Sequence, residues 1–460
     1  MDKAQIGLIG LSTMGANLAR NFADKKIPTI VFNRTTEKTE TFIKHFGDKN
    51  LTGEKNLRSF VSKIERPRKI ILMVKAGEAV DELIKNILQS LDKNDILIDC
   101  GNSHFKDTQR RQIELKKAGI YFIGCGVSGG EEGALKGPSI MPGGDKKAYL
   151  QVEPLLKKIA AKDFTGKPCV SYLGENGAGH FVKMVHNGIE YGIMELIAEA
   201  YDVLRKTYKL QPSKIGDVFN SYNKHLLTSY LFEIAVKVLK KKDPITKEFL
   251  VDKILDKAQQ KGTGKWTSVC ALDLGQALPT ITSAVFARII SGEKLTRTKL
   301  SKLYQSQKPT VKIPLKKFLV DLEKALYAAV LLTYLQGYDL IKKAALEEKW
   351  NIDLSEVSRI WQGGCIIRAD LLKLLRSAHS ISDKSIRKAL KSTMPQLKEV
   401  AVLSINSDVP APAFLSSLSY FYGIIETQSP ANLIQGLRDY FGAHTYERID
   451  KKGSFHSEWN

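Results

Sequence analysis

The sequence predicts an α/β domain with a doubly wound sheet, followed by a large all-helical domain and a C-terminal tail. In the first third of the 460 residues, short β-rich runs alternate with helical stretches, which is the pattern of a parallel sheet with helices on both faces. From Gly177 onward the pattern is almost entirely helical. The predicted domains are therefore residues 1–176 and 177–435, and residues 436–460 form the predicted tail.

Composition excludes several classes of protein. The five cysteines are odd in number and widely scattered, so they form neither a disulfide framework nor a metal-binding knuckle. No apolar run is long enough to cross a membrane, and the chain opens on a strand-like run instead of a secretory signal. The sequence therefore predicts a cytoplasmic protein with free thiols, no metal site and no membrane partner.

The chain is strongly basic, with 70 Lys and Arg residues against 49 Asp and Glu residues and a formal charge of +21. Such a charge is compatible with nucleic acid, a membrane surface or small polyanions. The lysines are spread over the whole sequence, and no nucleic-acid motif or basic stretch interleaved with aromatic residues occurs. We therefore expect no nucleic-acid partner and favour an anionic substrate and cofactor.

Seven β-rich runs are candidate strands of the N-terminal sheet. They are Gln5–Ile9, Thr29–Phe32, Lys69–Val74, Ile96–Asp99, Tyr121–Gly124, Ser139–Met141 and Val170–Leu173.

The turn after the first of these runs has the position of a dinucleotide fingerprint. It reads Gly10-Leu11-Ser12-Thr13-Met14-Gly15 and leads into a helix predicted to begin near Ala16. Glycines at this position allow a tight turn, and the pyrophosphate of the cofactor then lies at the helix N-terminus. Ser12 replaces the middle glycine of the general motif, so the turn alone is a weak signal. Together with the alternating pattern, it predicts a Rossmann-type domain.

The end of the second strand distinguishes between the two nicotinamide cofactors. An NAD site places Asp or Glu there for the ribose hydroxyls, whereas this chain has Asn33-Arg34-Thr35. A guanidinium and a hydroxyl in place of a carboxylate suit a 2′-phosphate. Although a random surface arginine is the alternative, the position of Arg34 favours NADP.

Three later turns also follow predicted strands. They are Val74-Lys75-Ala76-Gly77, Cys100-Gly101-Asn102-Ser103 and the run from Gly126 to Gly133, which includes Ser128, Gly129 and Gly130. Ligands of such sheets bind outside the carboxyl ends of the strands, so the three turns converge on one crevice. Each turn alone is compatible with a purely structural role, and together they indicate contacts with cofactor and substrate.

The helix predicted from Gly177 to Val203 carries one polar stripe on an otherwise apolar surface. The stripe follows the spacing i, i+3, i+4, i+7 and i+8 of one helix face, and its members are Lys183, His186, Asn187, Glu190 and Tyr191. A lysine and a glutamate are rarely buried unless they are paired or used. The stripe therefore predicts a catalytic acid–base pair, Lys183 and Glu190, with the other three side chains as substrate ligands. An ordinary ion pair on a partly wet face is the alternative.

The helical part contains a faded repeat. Residues Ala200–Lys206 resemble residues Gly337–Lys343, and each run ends a long helix that a second helical segment follows. With these runs in register, Lys183 corresponds to Val320 and Glu190 to Tyr327. We therefore predict duplicated helical units in which the second copy has lost both catalytic groups and serves packing. Its apolar run Leu326–Leu332 is a candidate two-fold interface.

Two further motifs are unusual. The run Lys261-Gly-Thr-Gly-Lys265-Trp266 is like a phosphate loop, but no Ser or Thr follows its Gly-Lys pair as a Walker A motif requires. Near the C-terminus, Arg438 and His444 flank a run rich in glycine and aromatic residues. Both residues are compatible with ordinary surface positions, but the composition of that run argues for an ordered tail.

Over its whole length the sequence resembles the 6-phosphogluconate dehydrogenases, which are decarboxylating NADP enzymes of the pentose phosphate pathway and belong to the β-hydroxyacid dehydrogenase superfamily. The last three of the seven matching blocks are the most specific. The blocks are Gly10–Gly15, Asn33–Thr35, Gly101–Ser103, Val127–Gly133, Lys183–Tyr191, Lys261–Trp266 and Arg438–Tyr446.

The resemblance implies a role for each predicted site residue. Lys183 is implied as the general base that takes the proton of the substrate 3-hydroxyl, and Glu190 as the general acid that protonates C1 after CO2 is lost. The implied ligands of the substrate carboxylate and hydroxyls are Asn102, Ser128, Gly129, Gly130, His186 and Asn187. The implied phosphate ligands are Tyr191, Lys261, Arg288 and, from the other subunit of a homodimer, Arg438 and His444. The implied NADP contacts are Gly10, Ser12, Thr13, Met14, Gly15, Asn33, Arg34, Thr35, Val74, Lys75, Ala76 and Asn102.

Three other functions share parts of this pattern. Another NADP-dependent β-hydroxyacid dehydrogenase would share the fingerprint and Lys183, but it needs neither the Lys261 loop nor the Arg438 tail. A non-catalytic NADPH sensor has no reason to keep Lys183 and Glu190 in one stripe. A basic nucleic-acid-binding protein would require clustered charge and a salt-sensitive affinity.

Overall fold

The computed structural model describes residues 3–260, 262–304 and 313–459. Its N-terminal part is a sheet with helices on both faces. The strands are β1 (Ile6–Ile9), β2 (Thr29–Phe32), β3 (Leu51–Glu54), β4 (Lys69–Leu72), β5 (Ile96–Asp99), β6 (Tyr121–Ser128) and β7 (Ser139–Gly144). The helices are α1 (Thr13–Asp24), α2 (Thr36–Phe46), α3 (Leu57–Ser62), α4 (Glu78–Leu88), α5 (Phe105–Lys117), α6 (Gly130–Lys136) and α7 (Lys146–Ile159).

The strand order is β3-β2-β1-β4-β5-β6-β7. Strands β1 to β6 run parallel, and β7 pairs antiparallel with β6 at the edge. The order reverses between β1 and β4, which is the point where sheets of this class leave a crevice for ligands. The predicted doubly wound sheet is confirmed, with an antiparallel edge strand added to it.

Several predicted elements of the N-terminal part differ from the observed ones. Strand β3 was missed because its sequence, Leu-Thr-Gly-Glu, contains a glycine and a charged residue and has no β-rich run. The run Val170–Leu173 forms no strand, and only Val170 bridges to Ile140. Strand β6 extends beyond Gly124 to Ser128, and α1 begins at Thr13 instead of Ala16.

The rest of the chain is helical up to a small C-terminal hairpin. The helices are α8 (Ala178–Lys206), α9 (Pro212–Asn223), α10 (Tyr230–Lys240), α11 (Thr263–Asp273), α12 (Pro279–Gly292), α13 (Lys294–Leu303), α14 (Leu315–Glu347), α15 (Leu354–Ile360), α16 (Leu371–Leu375), α17 (Lys384–Asn406), α18 (Pro412–Ile425) and α19 (Ala431–Gly442). A 3-10 turn spans Leu250–Lys253, and the hairpin strands are β8 (Tyr446–Glu447) and β9 (Ser454–Phe455).

Two long helices, α8 and α14, lie at the centre of the helical part, and their apolar side chains belong to one continuous core. Helix α8 also packs against β6 and β7, so it joins the sheet to the helices. Its buried Glu199 accepts hydrogen bonds from the backbone N–H groups of Ala413 and Phe414, at 2.6 and 2.9 Å, and thereby caps the start of α18. The long polar-striped helix predicted from the sequence is therefore the central element.

The two halves of the faded repeat have matching elements, because α8 is followed by α9 and α14 by α15. The predicted role of the run Leu326–Leu332 as a two-fold interface is wrong. Leu326, Leu331 and Leu332 are completely buried within the core of the same chain, because α8 and α17 pack on α14. The run therefore leaves almost no surface for a partner.

The C-terminal segment is exposed along most of its length. Helix α19 spans the predicted border between residues 435 and 436 and leads into the β8–β9 hairpin. Among the described residues, every side-chain hydrogen bond made by residues 436–459 stays between residue 435 and the C-terminal end. The tail is thus a small unit with its own internal bonding.

Within the described part of the chain, no helix has the length and apolar character needed to span a bilayer. All five cysteines are free and buried.

Candidate active site

Helix α8 brings the polar stripe together in the interior. The side chains of Lys183, His186, Asn187 and Tyr191 are buried, and that of Glu190 is half-buried. The stripe faces β6 and α11, which also pack on this helix. Lys183 lies directly against β6, since a Cβ added to Gly126 would lie 2.3 Å from the Cβ of Lys183. The predicted alternative of an ion pair on a wet face is therefore excluded for Lys183, which is only 6% exposed.

The ammonium group of Lys183 donates a hydrogen bond to Oδ1 of Asn187, one turn along the helix. Burial lowers the pKa of Lys183, while the nearby charge of Glu190 opposes this shift. Burial raises the pKa of Glu190, and the charges of Lys183 and Arg288 oppose that shift. A lysine that loses its proton more readily and a glutamate that keeps its proton longer are suited to act as a base and an acid in one cleft.

His186 has one tautomer that satisfies both of its contacts. Its Nδ1 lies 3.0 Å from Oδ1 of Asn187, an oxygen that only accepts, so Nδ1 carries the proton. Its Nε2, 3.1 Å from Oγ of Ser128, then accepts from that hydroxyl. Burial and the charge of Lys183 keep the pKa of His186 well below its usual value, so the ring is neutral. The last residue of β6 is thereby tied to the stripe of α8.

Thr263 is a site residue that the sequence did not single out by itself. Its Oγ1 accepts a hydrogen bond of 2.9 Å from Nδ2 of Asn187, which leaves Oδ1 of that amide free to face Lys183 and His186. Thr263 is the first residue of α11 and lies two positions after Lys261. The run that is like a phosphate loop is thus connected to the polar stripe through Thr263. The position of Thr263 within that run was the signal available in the sequence.

Arg288 of α12 reaches the far end of the stripe. The carbon at the centre of its guanidinium lies 3.5 Å from the ring centroid of Tyr191, a distance at which a cation and an aromatic face attract each other. Its Nη2 lies 3.7 Å from the Met194 sulfur. A guanidinium thus lies beside Tyr191, at the end of the stripe away from Lys183, where it could bind an anionic group of a substrate.

The fingerprint turn lies at the carboxyl end of β1, at the reversal of strand order. Gly10 has a φ of 105°, and a Cβ added to Gly15 would lie 1.9 Å from the carbonyl oxygen of Gly10. No side chain caps α1 at Ser12. Ser12 and Thr13 are exposed beside the half-buried Met14. A tight turn with an uncapped helix start is a cradle for the pyrophosphate of a dinucleotide.

Asn33, Arg34 and Thr35 form the loop after β2, next to this turn. Asn33 accepts a hydrogen bond of 3.0 Å from the backbone N–H of Leu11 and donates one of 3.1 Å to the carbonyl of Thr35. The Asn33 amide thus fixes the loop against the fingerprint turn. Arg34 and Thr35 remain exposed, as a ligand for the 2′-phosphate of NADP requires.

The turns after β4 and β5 lie at the same edge of the sheet. Lys75 and Asn102 are exposed, whereas Val74 and Ala76 are half-buried. Buried Asp99 fixes the turn that carries Asn102, because it accepts hydrogen bonds from the Gly101 N–H and the Ser103 hydroxyl, at 3.0 and 2.6 Å. The predicted convergence of these turns on one crevice agrees with the order of their strands.

The glycine-rich turn after β6 has a conformation that few other residues adopt. Gly129 has a φ of 134° and Gly130 a φ of 62°. A Cβ at Gly129 would also lie 2.5 Å from the carbonyl oxygen of Gly364, so the turn packs against the segment that leads to Cys365. This close approach holds Ser128 beside His186.

Comparisons with known proteins cover nearly the whole chain. Residues 5–174 match the NAD binding domain of 6-phosphogluconate dehydrogenase, and residues 179–459 match the 6-phosphogluconate dehydrogenase C-terminal domain. The NADP(+)-dependent, decarboxylating 6-phosphogluconate dehydrogenase of Bacillus subtilis is 48% identical over 468 residues, which include 100% of each chain. The decarboxylating 6-phosphogluconate dehydrogenase of Escherichia coli is 45% identical over 467 residues, again with 100% of each chain covered.

The fold agrees with these matches. The structure of Plasmodium falciparum 6-phosphogluconate dehydrogenase, solved in its apo form and in complex with its cofactor NADP+ and its substrate 6-phosphogluconate, matches with a TM-score of 0.96 at 41% identity. The match covers 99% of this chain and 100% of that chain. This chain belongs to the 6-phosphogluconate dehydrogenase family. The resemblance and the fold class predicted from the sequence are both confirmed.

Within one chain, some of the predicted site residues lie away from the polar stripe of α8. Arg438 and His444 are exposed in the tail. Among the described residues, neither forms a hydrogen bond or ion pair with α8, and Arg438 donates only to Gln435, at 3.1 Å. Lys261 lies outside the described residues. The described part of the chain also contains no cluster of three or more His, Cys, Asp or Glu side chains that could hold a metal ion.

Proposed function

We propose that this chain oxidises and decarboxylates 6-phosphogluconate to ribulose 5-phosphate and CO2, with reduction of NADP to NADPH. The observation that carries the proposal is the buried stripe of α8, in which Lys183 and Glu190 have pKa values shifted in opposite directions by burial. Identities of 48% and 45% over the full length of two decarboxylating members of the family support 6-phosphogluconate as the substrate.

The first proposed step is removal of the proton of the substrate 3-hydroxyl by Lys183. This step requires a neutral amine, and the burial that lowers the pKa of Lys183 increases its neutral fraction near pH 7. The hydrogen bond to Asn187 orients the amine. When bound, NADP supplies a hydride acceptor for C3. The residues that would hold it are the fingerprint turn, Asn33, Arg34, Thr35, Val74, Lys75, Ala76 and Asn102.

The second proposed step is loss of CO2 from the resulting 3-keto acid. The carbonyl β to the carboxylate accepts the electrons of the breaking bond, and the protonated amine of Lys183 stabilises the negative charge that develops on its oxygen. Glu190 then delivers a proton to C1 of the enediol. The raised pKa of Glu190 keeps this proton available at a higher pH than an exposed glutamate would.

The remaining polar groups are proposed to hold the substrate. Asn102, Ser128, Gly129, Gly130, His186 and Asn187 would bind its carboxylate and hydroxyls. Arg288, beside Tyr191, would bind its phosphate together with Lys261 and, from the second subunit of a homodimer, Arg438 and His444. The exposed position of the tail supports this arrangement, because Arg438, within the described part of its own chain, donates only to Gln435 of the same helix.

We further propose the division into a cofactor domain at 1–176, a helical domain at 177–435 and a tail at 436–460. The start of α8 at Ala178 supports the first border. A cytoplasmic location is proposed as well, and five free cysteines suit a reducing compartment.

A direct assay tests the proposed reaction. Purified protein is incubated with 6-phosphogluconate and NADP as the only substrates, while NADPH absorbance and CO2 release are recorded together. We expect equal amounts of both products. NADPH without CO2 would indicate another β-hydroxyacid dehydrogenase, and formation of neither product would contradict the proposed function.

A further inference from the structure

Asp439 is a completely buried carboxylate in a segment that is otherwise exposed. Its side chain has no exposed surface, whereas Leu437, Tyr440 and Phe441 of the same helix are 54%, 60% and 72% exposed. A buried acid without a surrounding apolar core must be held by polar partners. The shape of the tail therefore depends on what Asp439 binds.

Its two oxygens accept four hydrogen bonds from two other stretches of the tail. Oδ1 accepts from the Thr445 backbone N–H and from Nδ1 of His456, both at 2.9 Å. Oδ2 accepts from the Ser457 backbone N–H at 3.1 Å and from Nε1 of Trp459 at 2.8 Å. One side chain thus joins α19, the turn that follows it and the last residues of the chain.

The turn fixed in this way carries His444. Its flanking residues Ala443 and Thr445 have φ values of 49° and 58°, a conformation that non-glycine residues adopt only when other contacts hold it. The Thr445 N–H bonded to Asp439 and the Thr445 carbonyl, which accepts from Gln435 at 2.6 Å, supply those contacts.

The same bonds reach Arg438. Oε1 of Gln435 accepts from the Arg438 guanidinium at 3.1 Å, while the amide nitrogen of Gln435 holds Thr445. The network therefore runs from Asp439 through Thr445 and Gln435 to Arg438. One set of hydrogen bonds therefore holds the Arg438 side chain and the backbone of the turn that carries His444.

We propose that Asp439 is a positioning residue that sets Arg438 and His444 at the spacing needed to bind the substrate phosphate. This inference rests on the proposed function, and it assigns Asp439 no contact with the substrate. Across the described ranges, no buried apolar cluster includes a residue of the tail. Hydrogen bonds to this carboxylate therefore take the place that packing has in the larger domains.

The charge of Asp439 is constant over the range of an ordinary assay. Burial alone would raise the pKa of this carboxyl, but the bonds from His456, Ser457, Trp459 and Thr445 outweigh it and lower the pKa to about 2. Asp439 is therefore an ionised acceptor at every working pH. Asparagine at position 439 would have nearly the same shape, but its amide NH2 would replace one of the two carboxylate oxygens. This NH2 is a donor, and it would face two of the donors that now bind Asp439.

The test compares Asp439→Asn with the matched control Asp450→Asn, an exposed aspartate of the same tail that pairs with Arg448. We expect the KM for 6-phosphogluconate to rise by about 10-fold or more in Asp439→Asn, the loss expected when charge-assisted contacts to a phosphate are misaligned. The KM for NADP, kcat at saturating substrate and the melting temperature should stay close to wild type. The control should match wild type in every measurement.

A second variant decides the outcome if Asp439→Asn does not fold. Trp459→Phe removes one donor to Asp439 and keeps an aromatic ring beside Tyr440 and Tyr446. We expect a smaller rise in the same KM. The proposal would be overturned if Asp439→Asn folded and had a wild-type KM for 6-phosphogluconate. It would also be overturned if Asp439→Asn did not fold and Trp459→Phe had a wild-type KM. A wild-type chain that forms no NADPH from 6-phosphogluconate would instead contradict the proposed function itself.

Discussion

At Lys183 and Glu190, burial and the attraction between the two charges shift the pKa of each group in opposite directions. Burial disfavours the charged form of each group, so the pKa of the lysine falls and that of the glutamate rises. Each charge also stabilises the other, which limits both shifts. Burial in one cleft therefore favours a neutral lysine and a protonated glutamate more than water does.

Replacement of Glu190 by glutamine should separate oxidation from the final protonation. The amide has no proton of suitable acidity, so we expect a steady-state rate lower by about 10²–10⁴-fold, with NADPH still formed in a single turnover. The measurement is NADPH formation against ribulose 5-phosphate formation in deuterated water, with deuterium at C1 as the readout. The control is Asp202→Asn, which removes an acid that pairs with Lys206 near the end of the same helix. A near-normal steady-state rate in Glu190→Gln would exclude the acid role.

Arg34 is predicted to determine the cofactor preference. The loop after β2 has no acidic residue for a ribose hydroxyl, and Arg34 is exposed beside the fingerprint turn. We expect the wild type to prefer NADP, and Arg34→Ala to lose roughly 1.5–3 kcal/mol of NADP affinity, as for a hydrogen bond to a charged group. Titration of both cofactors checks this, and equal affinity of the wild type for NAD and NADP would contradict it.

At the scale of single elements, features that lie within one helix or one turn were predictable from the sequence. The stripe on α8 was predictable because its five members share one helical face. The contact of Ser128 with His186 joins residues 58 positions apart, and it depends on how β6 lies against α8. The contact of Thr263 with Asn187 likewise joins two separate helices. Local patterns carry no information about such pairings, so neither contact could be predicted.

The close approach of helix α8 to β6 requires a residue without a side chain at position 126. A Cβ on Gly126 would lie 2.3 Å from the Cβ of Lys183 and 2.8 Å from its Cγ. Gly126→Ala should therefore displace α8, with a loss of roughly 1–3 kcal/mol in the free energy of unfolding and a lower kcat. Chemical denaturation and steady-state kinetics measure both effects.

The control for this element is Gly292→Ala. Position 292 ends α12, and an added Cβ there would meet no atom within 4 Å. We expect wild-type stability and rate for this control. The close approach of α8 to β6 would be unimportant for the site if Gly126→Ala behaved in the same way.

At the scale of the whole molecule, exposed apolar side chains are the candidate contact surface for the second subunit of the proposed homodimer. The buried run Leu326–Leu332 is not available, whereas Phe286 and Ile290 of α12 are 59% and 58% exposed, and Phe441 of α19 is 72% exposed. This distinction could not be made from the sequence, because a buried core helix and an interface helix have the same apolar pattern. The tail, with Arg438 and His444, adds further exposed surface.

Shared active sites can be detected by mixing two inactive variants. A Lys183→Met subunit retains Arg438, and an Arg438→Ala subunit retains Lys183, so each mixed dimer has one intact site. Random exchange should restore about a quarter of wild-type activity, because half of the dimers are mixed and one of their two sites is complete. Each variant alone, carried through the same exchange procedure, is the control. No recovery despite proven exchange would show that each chain builds its own phosphate site.

Neutral Lys183 is the proposed base that starts the reaction, and Lys183→Arg removes this base. Arginine keeps the positive charge and the hydrogen-bonding capacity but does not release its proton in proteins. The control is Lys206→Arg on the exposed part of the same helix. The measurement is NADPH and CO2 formation from 6-phosphogluconate in a single turnover. We expect the control to match wild type and Lys183→Arg to lose about 10²–10⁴-fold in the rate of formation of both products. Near-normal formation of NADPH by Lys183→Arg would show that Lys183 is not the base.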